Sequence, residues 1–128
     1  MTRIGQDSLN VRRILDVSGQ RYGYYSLPAA QKAGLGNIAA LPFSLKTLVE
    51  NLLRHEDGKQ VSLDSIRATV SSITNGHDST EIAFTPARVL MQDFTGVPAI
   101  VDLAAMRDAM VSLKGDPTLI NPLIPVDL

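Results

Sequence analysis

Few residues of this chain are of a type and spacing that suit chemistry. The most site-like run is Gln92-Asp93-Phe94-Thr95-Gly96-Val97-Pro98. It follows an apolar stretch, Val89-Leu90-Met91, and precedes a helical pattern. In open α/β sheets, ligands bind beyond the carboxyl ends of strands. A helix N-terminus adds free N–H groups and about half a positive charge, which suits carboxylate or phosphate. The Gln92 amide both donates and accepts hydrogen bonds. Asp93 can orient a neighbour or a substrate hydroxyl. Every strand–loop–helix unit also needs polar turn residues, so spacing alone leaves a site and a plain turn both open.

Other chemistries are excluded more firmly. His55 and His77 stand 22 positions apart, and neither belongs to a His-x-x-x-His or His-Glu-x-x-His arrangement. A histidine metal site is therefore not expected. His77 follows Asn75-Gly76 and reads as a residue of an exposed loop. Ser44, Ser62 and Ser65 read as caps and polar-face residues, and neither Gly-x-Ser-x-Gly nor a phosphate-binding P-loop is present. The chain has no cysteine. Disulfides, thiolate zinc sites, a cysteine nucleophile and cysteine-ligated iron–sulfur clusters cannot be built from this chain alone.

The elements that would position Gln92 follow from the pattern. Residues 11–25 read as a β-hairpin around Ser18-Gly19, with Leu15 opposite Tyr22 and Arg13 opposite Tyr24. Gly23 suggests a bulge or a close approach. Residues 28–33 make one short helix, ended by Gly34 and Gly36. Residues 43–56 form the clearest helix, with Leu45, Leu48, Val49, Leu52 and Leu53 on one stripe, Ser44 as N-cap and Pro42 fixing the approach. A second helix runs over 63–73, capped by Ser62. Residues 81–84 and 88–92 read as strands, the latter buried on both faces as in a parallel sheet. A helix over 98–114 starts on Pro98 and turns Leu103, Met106, Met110 and Leu113 inward, with Gly115 ending it. The fold class is α/β: a three-layer-like partial domain, a small sheet flanked by helices, plus an N-terminal β-hairpin.

Composition sets the remaining bounds. The chain has 128 residues, 45% hydrophobic and 20% charged, which is too apolar for disorder. Net charge is −1, so a broad polyphosphate-binding surface is not expected. Residues 1–60 carry eight basic and five acidic side chains, residues 61–128 four and eight. No apolar run approaches the roughly 20 residues that span a bilayer, and no apolar leader is present, so no membrane partner and a cytoplasmic location are expected. The tyrosines of the hairpin read as packing residues rather than a stacking platform for bases, because basic residues do not concentrate around them.

The run over 84–110, with Arg88-Val89-Leu90-Met91-Gln92-Asp93-Phe94-Thr95-Gly96-Val97-Pro98 at its centre, resembles the N-terminal domain of aconitate hydratases of the aconitase A and iron-regulatory-protein type. Tyr24-Tyr25-Ser26-Leu27, Leu41-Pro42-Phe43-Ser44-Leu45-Lys46 and Asn51-Leu52-Leu53-Arg54 resemble the same family. So do Gly115-Asp116-Pro117, Ile120-Asn121-Pro122 and Pro125-Val126-Asp127-Leu128. The resemblance implies that 1–128 is the N-terminal part of aconitase domain 1. Its regions are a β-hairpin over 8–27, a helical part over 28–75, and a strand–loop–helix and tail over 80–128.

It further implies a hydro-lyase of the tricarboxylic acid cycle that interconverts citrate and isocitrate through cis-aconitate at a [4Fe–4S] cluster. Gln92 would then contact substrate, Asp93, Thr95 and Gly96 would shape its loop, and Arg88 would be a structural ion-pair partner. The cluster-binding cysteines, catalytic serine and substrate-binding arginines of the family come from later segments, so this chain is expected to bind no cluster and to be inactive alone. Its partners would be the remainder of an aconitase chain and, through the helix from Pro98 and the tail around Ile124, a second copy. The alternatives are a homologue acting on 2-methylcitrate, a split enzyme completed by another chain, or a non-catalytic module binding protein or RNA. The charge balance does not favour RNA binding by the chain alone.

Overall fold

The computed structural model describes residues 5–76, 81–92 and 99–127. The chain forms two units, Met1–Thr85 and Pro86–Leu128.

In the first unit, Ser18 and Gly19 both take positive φ (53° and 82°), the turn geometry that matches strand twist. β1 (Arg12–Val17) and β2 (Gln20–Tyr25) pair antiparallel around it. Leu15 stands opposite Tyr22 and Arg13 opposite Tyr24, as the pattern requires. The register runs unbroken past Gly23, so there is no bulge. Gly23 instead leaves room for the Arg12 guanidinium, which would lie 3.2 Å from a Cβ at that position.

Ser26 caps α1 (Leu27–Ala30), and its hydroxyl accepts from the Ala29 N–H. A single wider turn, Gln31–Leu35, follows and ends with Gly34 at φ 87°. α2 (Phe43–Arg54) begins directly after Pro42, whose carbonyl accepts from Lys46 N–H. The helix has no side-chain cap, so the expected role of Ser44 is corrected: Ser44 already lies within the first turn and is exposed. The helix also stops at Arg54 rather than Glu56. Glu56 turns inward, 3% exposed, and its Oε2 accepts from the Ser8 N–H at 3.0 Å.

α3 (Leu63–Thr74) has a complete capping box. Ser62 Oγ accepts from Ser65 N–H, and Ser65 Oγ accepts from Ser62 N–H. Two orphan donors at the helix start are thereby satisfied. Ser62→Ala should cost about 1 kcal/mol of stability. Urea unfolding followed by circular dichroism would show this as a lower midpoint with an unchanged slope.

Val49, Leu52 and Leu53 of α2 and Ile66 and Val70 of α3 are buried together with Val11, Tyr25, Ile38 and Val61. This is the core of the first unit. Residues 81–84 form no strand, contrary to the sequence pattern. Among the described residues no strand pairs with them, and Phe84 N–H donates instead to the Ile82 carbonyl. A side chain stands in for the missing ladder. Asn51 Nδ2 donates to the Thr85 carbonyl at 2.7 Å and Asn51 Oδ1 accepts from Thr85 N–H at 3.1 Å.

In the second unit, β3 is only Val89–Leu90 and pairs parallel with β4 (Val126–Asp127). The expectation of a longer strand buried on both faces is corrected: Leu90 is 80% exposed, because among the described residues no element packs over its face of the two-stranded sheet. α4 (Ile100–Ser112) is followed by Lys114 at φ 59°, and Gly115 N–H reaches back to the Met110 carbonyl at 2.8 Å. A Cβ on Gly115 would meet Met110 Cε at 2.7 Å, a contact that the flexible end of the methionine can relieve by moving. The expected inward stripe is only half covered. Leu103 and Met110 are half-buried, while Met106 and Leu113 are exposed. Arg107 ties the helix to its following loop through the Ile120 carbonyl (3.0 Å) and Asn121 Oδ1 (2.7 Å).

The architecture is a mixed α/β partial domain with an N-terminal hairpin. Among the described residues, no helix is long and apolar enough to cross a membrane.

Candidate functional site

Main-chain bonding decides where Gln92 stands. Val89 N–H donates to the Pro125 carbonyl and Met91 N–H to the Asp127 carbonyl, each at 2.9 Å. Among the described residues the Met91 bond is the last on that side, and Gln92 follows it. It is exposed. Because β3 and β4 run parallel, their carboxyl ends lie at the same edge, and Gln92 stands at that edge. An amide there can bind a hydroxyl or a carboxylate without an internal competitor, since no hydrogen bond to its side chain is present among the described residues.

Arg88 Nη1 pairs with Asp127 Oδ2 at 2.9 Å across the two strands, the ion-pair role expected of it. Both side chains are largely exposed, so the pair fixes register more than it adds stability. Asp93, Thr95, Gly96 and Pro98 lie outside the described residues, as does His77.

The first unit holds a cleft of about 820 Å³, which sequence reasoning missed. His55, Glu56, Lys59, Gln60 and Phe84 line it. Its floor is a strap from the chain start. Gln6 N–H donates to the Glu56 carbonyl and Gln6 Nε2 to the Asp57 carbonyl, at 2.9 and 3.0 Å. A Cβ on Gly5 would meet the Arg54 carbonyl at 2.7 Å. The only sequence signal for this strap was a glutamate placed just before Asp57-Gly58. Among the described residues, no three of histidine, aspartate or glutamate converge as metal ligands.

At the rim, Asp57 Oδ1 accepts from Val61 N–H (3.0 Å) and Lys59 N–H (2.8 Å). These bonds, Val61 first, hold its carboxyl below the usual range. A depressed folded value stabilises above the unfolded pKa of about 3.9 and loses that stabilisation as pH falls through the folded value. Asp57→Asn should therefore lower stability at neutral pH, and the gap from the parent chain should close in strong acid. Urea titrations at pH 7 and pH 2.5 or so would check the sign.

Comparison with known proteins bears on the strand-end site. A family profile described as Aconitase family (aconitate hydratase) matches residues 64–128, the stretch that contains Gln92. Aconitate hydratase A of Bradyrhizobium diazoefficiens is 57% identical over 122 residues, covering 95% of this chain and 14% of that protein. The Legionella pneumophila and Pseudomonas aeruginosa proteins of the same name are 53% and 57% identical over 98% and 95% of this chain. The chain thus spans about one seventh of the length of the curated relatives it matches. With a profile covering more than half its residues, and a mixed α/β fold that sets Gln92 at a strand end, this chain belongs to the aconitase family.

Proposed function

We propose that this chain supplies the N-terminal part of an aconitase, a hydro-lyase interconverting citrate and isocitrate, and that Gln92 binds substrate in it. The observation that carries the reading is the exposed Gln92 side chain one residue beyond Met91, whose N–H makes the last β3–β4 bond among the described residues. Its Nε2 can donate to a citrate carboxylate or hydroxyl, and its Oε1 can accept a hydroxyl proton. An amide does not titrate, so Gln92 holds and orients substrate and moves no proton. Asp93, Thr95 and Gly96 shape its loop. In a longer chain, residues following β4 would begin at the same edge as Gln92, which supports a site shared with later segments.

The [4Fe–4S] cluster of the family supplies Lewis-acid chemistry when bound. The residues present do not fit it, because the chain has no thiolate to offer. The cluster, the acid–base groups and the remaining substrate contacts belong to other segments of an aconitase, and the chain by itself is inactive.

A chimera tests this reading. The chain replaces the matching first part of the Bradyrhizobium diazoefficiens enzyme, and hydration of cis-aconitate is followed. An active chimera, with no citrate turnover by the 128-residue chain alone, is the expected result. Turnover by the chain alone, or a folded chimera without activity, overturns it.

A further inference from the structure

The break after α3 carries a reactive pair that the strand-end site does not use. Asn75 is the only one of the five asparagines with glycine next in the chain. Asn10, Asn37 and Asn51 precede valine, isoleucine and leucine, whose side chains crowd the next backbone nitrogen. Asn121 precedes Pro122, which has no N–H. The nitrogen of the following residue can attack an asparagine amide, and glycine hinders that nitrogen least.

A helix interior blocks the attack by fixing the backbone, but Asn75 lies just past the last helical residue, Thr74. Asn75 and Gly76 are both exposed. Gly76 takes φ 72°, and a Cβ built there would meet nothing within 4 Å, so the space around it is open. The described bonds that restrain the reacting groups are long: Gly76 N–H to the Ile73 carbonyl at 3.3 Å, and Asn75 Nδ2 to Ser71 Oγ at 3.4 Å. Turning Asn75 about ψ brings Cγ over the Gly76 nitrogen and gives up the first of these bonds. The bond from Asn75 N–H to the Ser71 carbonyl at 3.0 Å survives that turn. Asp57-Gly58 is the contrasting pair. Asp57 Oδ1 accepts from the N–H groups of Lys59 and Val61 at 2.8 and 3.0 Å, and Gly58 N–H donates to the Val61 carbonyl at 3.1 Å. A carboxylate held ionised by such donors is a poor electrophile, so the same chemistry is locked there.

We propose that Asn75 is a modification site, at which the folded chain deamidates through a cyclic imide. The Gly76 nitrogen gives its proton to solvent and forms a bond to Asn75 Cγ. The Cγ–Nδ2 bond breaks, and Nδ2 takes up a proton from solvent and leaves as ammonia. Water then opens the imide at either carbonyl, leaving aspartate or isoaspartate at position 75. Water is the only co-reactant. The product sets a carboxylate at the negative end of α3, whose last turn holds no basic residue, and so weakens that end of the helix. The site lies wholly in the first unit and does not involve Gln92, so it stands apart from the catalytic reading.

Incubating the 128-residue chain for weeks at neutral pH and physiological temperature tests it, with anion exchange and peptide mass spectrometry as readouts. A more acidic form should accumulate, with the amide lost from the peptide that holds Asn75 and retained at Asn10, Asn37, Asn51 and Asn121. Asn75→Gln, which must close a larger ring, and Gly76→Ala, which hinders the nitrogen, should each slow its appearance at least about tenfold. Asn75→Asp should elute with the acidic form and unfold at a lower temperature than the parent chain. A folded chain that keeps the Asn75 amide after a guanidinium-unfolded sample has lost it overturns the proposal. So does equal loss at the other asparagines, and so does a Gly76→Ala chain that converts as fast as its parent.

Discussion

In the active chimera, Gln92→Ala is expected to lower kcat/KM for cis-aconitate by between about 10-fold and 100-fold. A hydrogen bond to a charged partner contributes roughly 1.5–3 kcal/mol, and each ~1.4 kcal/mol is a factor of ten in rate. Gln92→Glu should be worse, because a carboxylate would then face the carboxylates of the substrate. Stability should change by less than about 0.5 kcal/mol, since the side chain is exposed and makes no hydrogen bond among the described residues. Steady-state kinetics beside thermal unfolding separate the two effects. A Gln92→Ala chimera within twofold of its parent would remove the amide from the substrate site.

The second large effect concerns stability. Leu53 is 1% exposed and sits in the cluster formed by α2, α3, Val11 and Tyr25. Leu53→Ala leaves a cavity that neighbouring side chains fill only in part, at a cost of about 3 kcal/mol. Against the 5–15 kcal/mol typical of a whole domain, that is a large share. Leu15→Ala on the half-exposed hairpin face should cost less than about 1 kcal/mol. Urea midpoints for the two variants would rank them. Equal midpoints would mean that the helical cluster is not what holds the first unit together.

How far the fold could be read from sequence depends on whether a residue is governed by its neighbours in the chain. The hairpin register was legible because Ser18-Gly19 fixes the turn, and the turn then fixes every pair from Val17–Gln20 to Arg12–Tyr25. α2 and α3 were legible because a stripe of leucine, valine and isoleucine recurs every three or four residues. Ser62 was legible as a cap, while Ser44 was not, because Pro42 had already set the start of α2. Residues 81–84 misled for a different reason. Their composition suits a strand, but a strand needs a partner, and the described residues offer only the Asn51 amide at Thr85. Leu90 and the α4 stripe misled likewise: apolar residues predict burial, and burial requires covering elements. For the site, the strand end before Gln92 was legible and the Glu56 strap was not, since its partners lie 48 positions away at Ser8.

The parallel contact between β3 and β4 joins residues 37 positions apart, Val89 to Val126. Closing so long a loop costs chain entropy before any bond is gained. The hairpin and the helices around it collect most of their bonds from near neighbours in sequence. Refolding should therefore proceed in two stages, with the first unit ordered early and the edge that carries Gln92 assembled last.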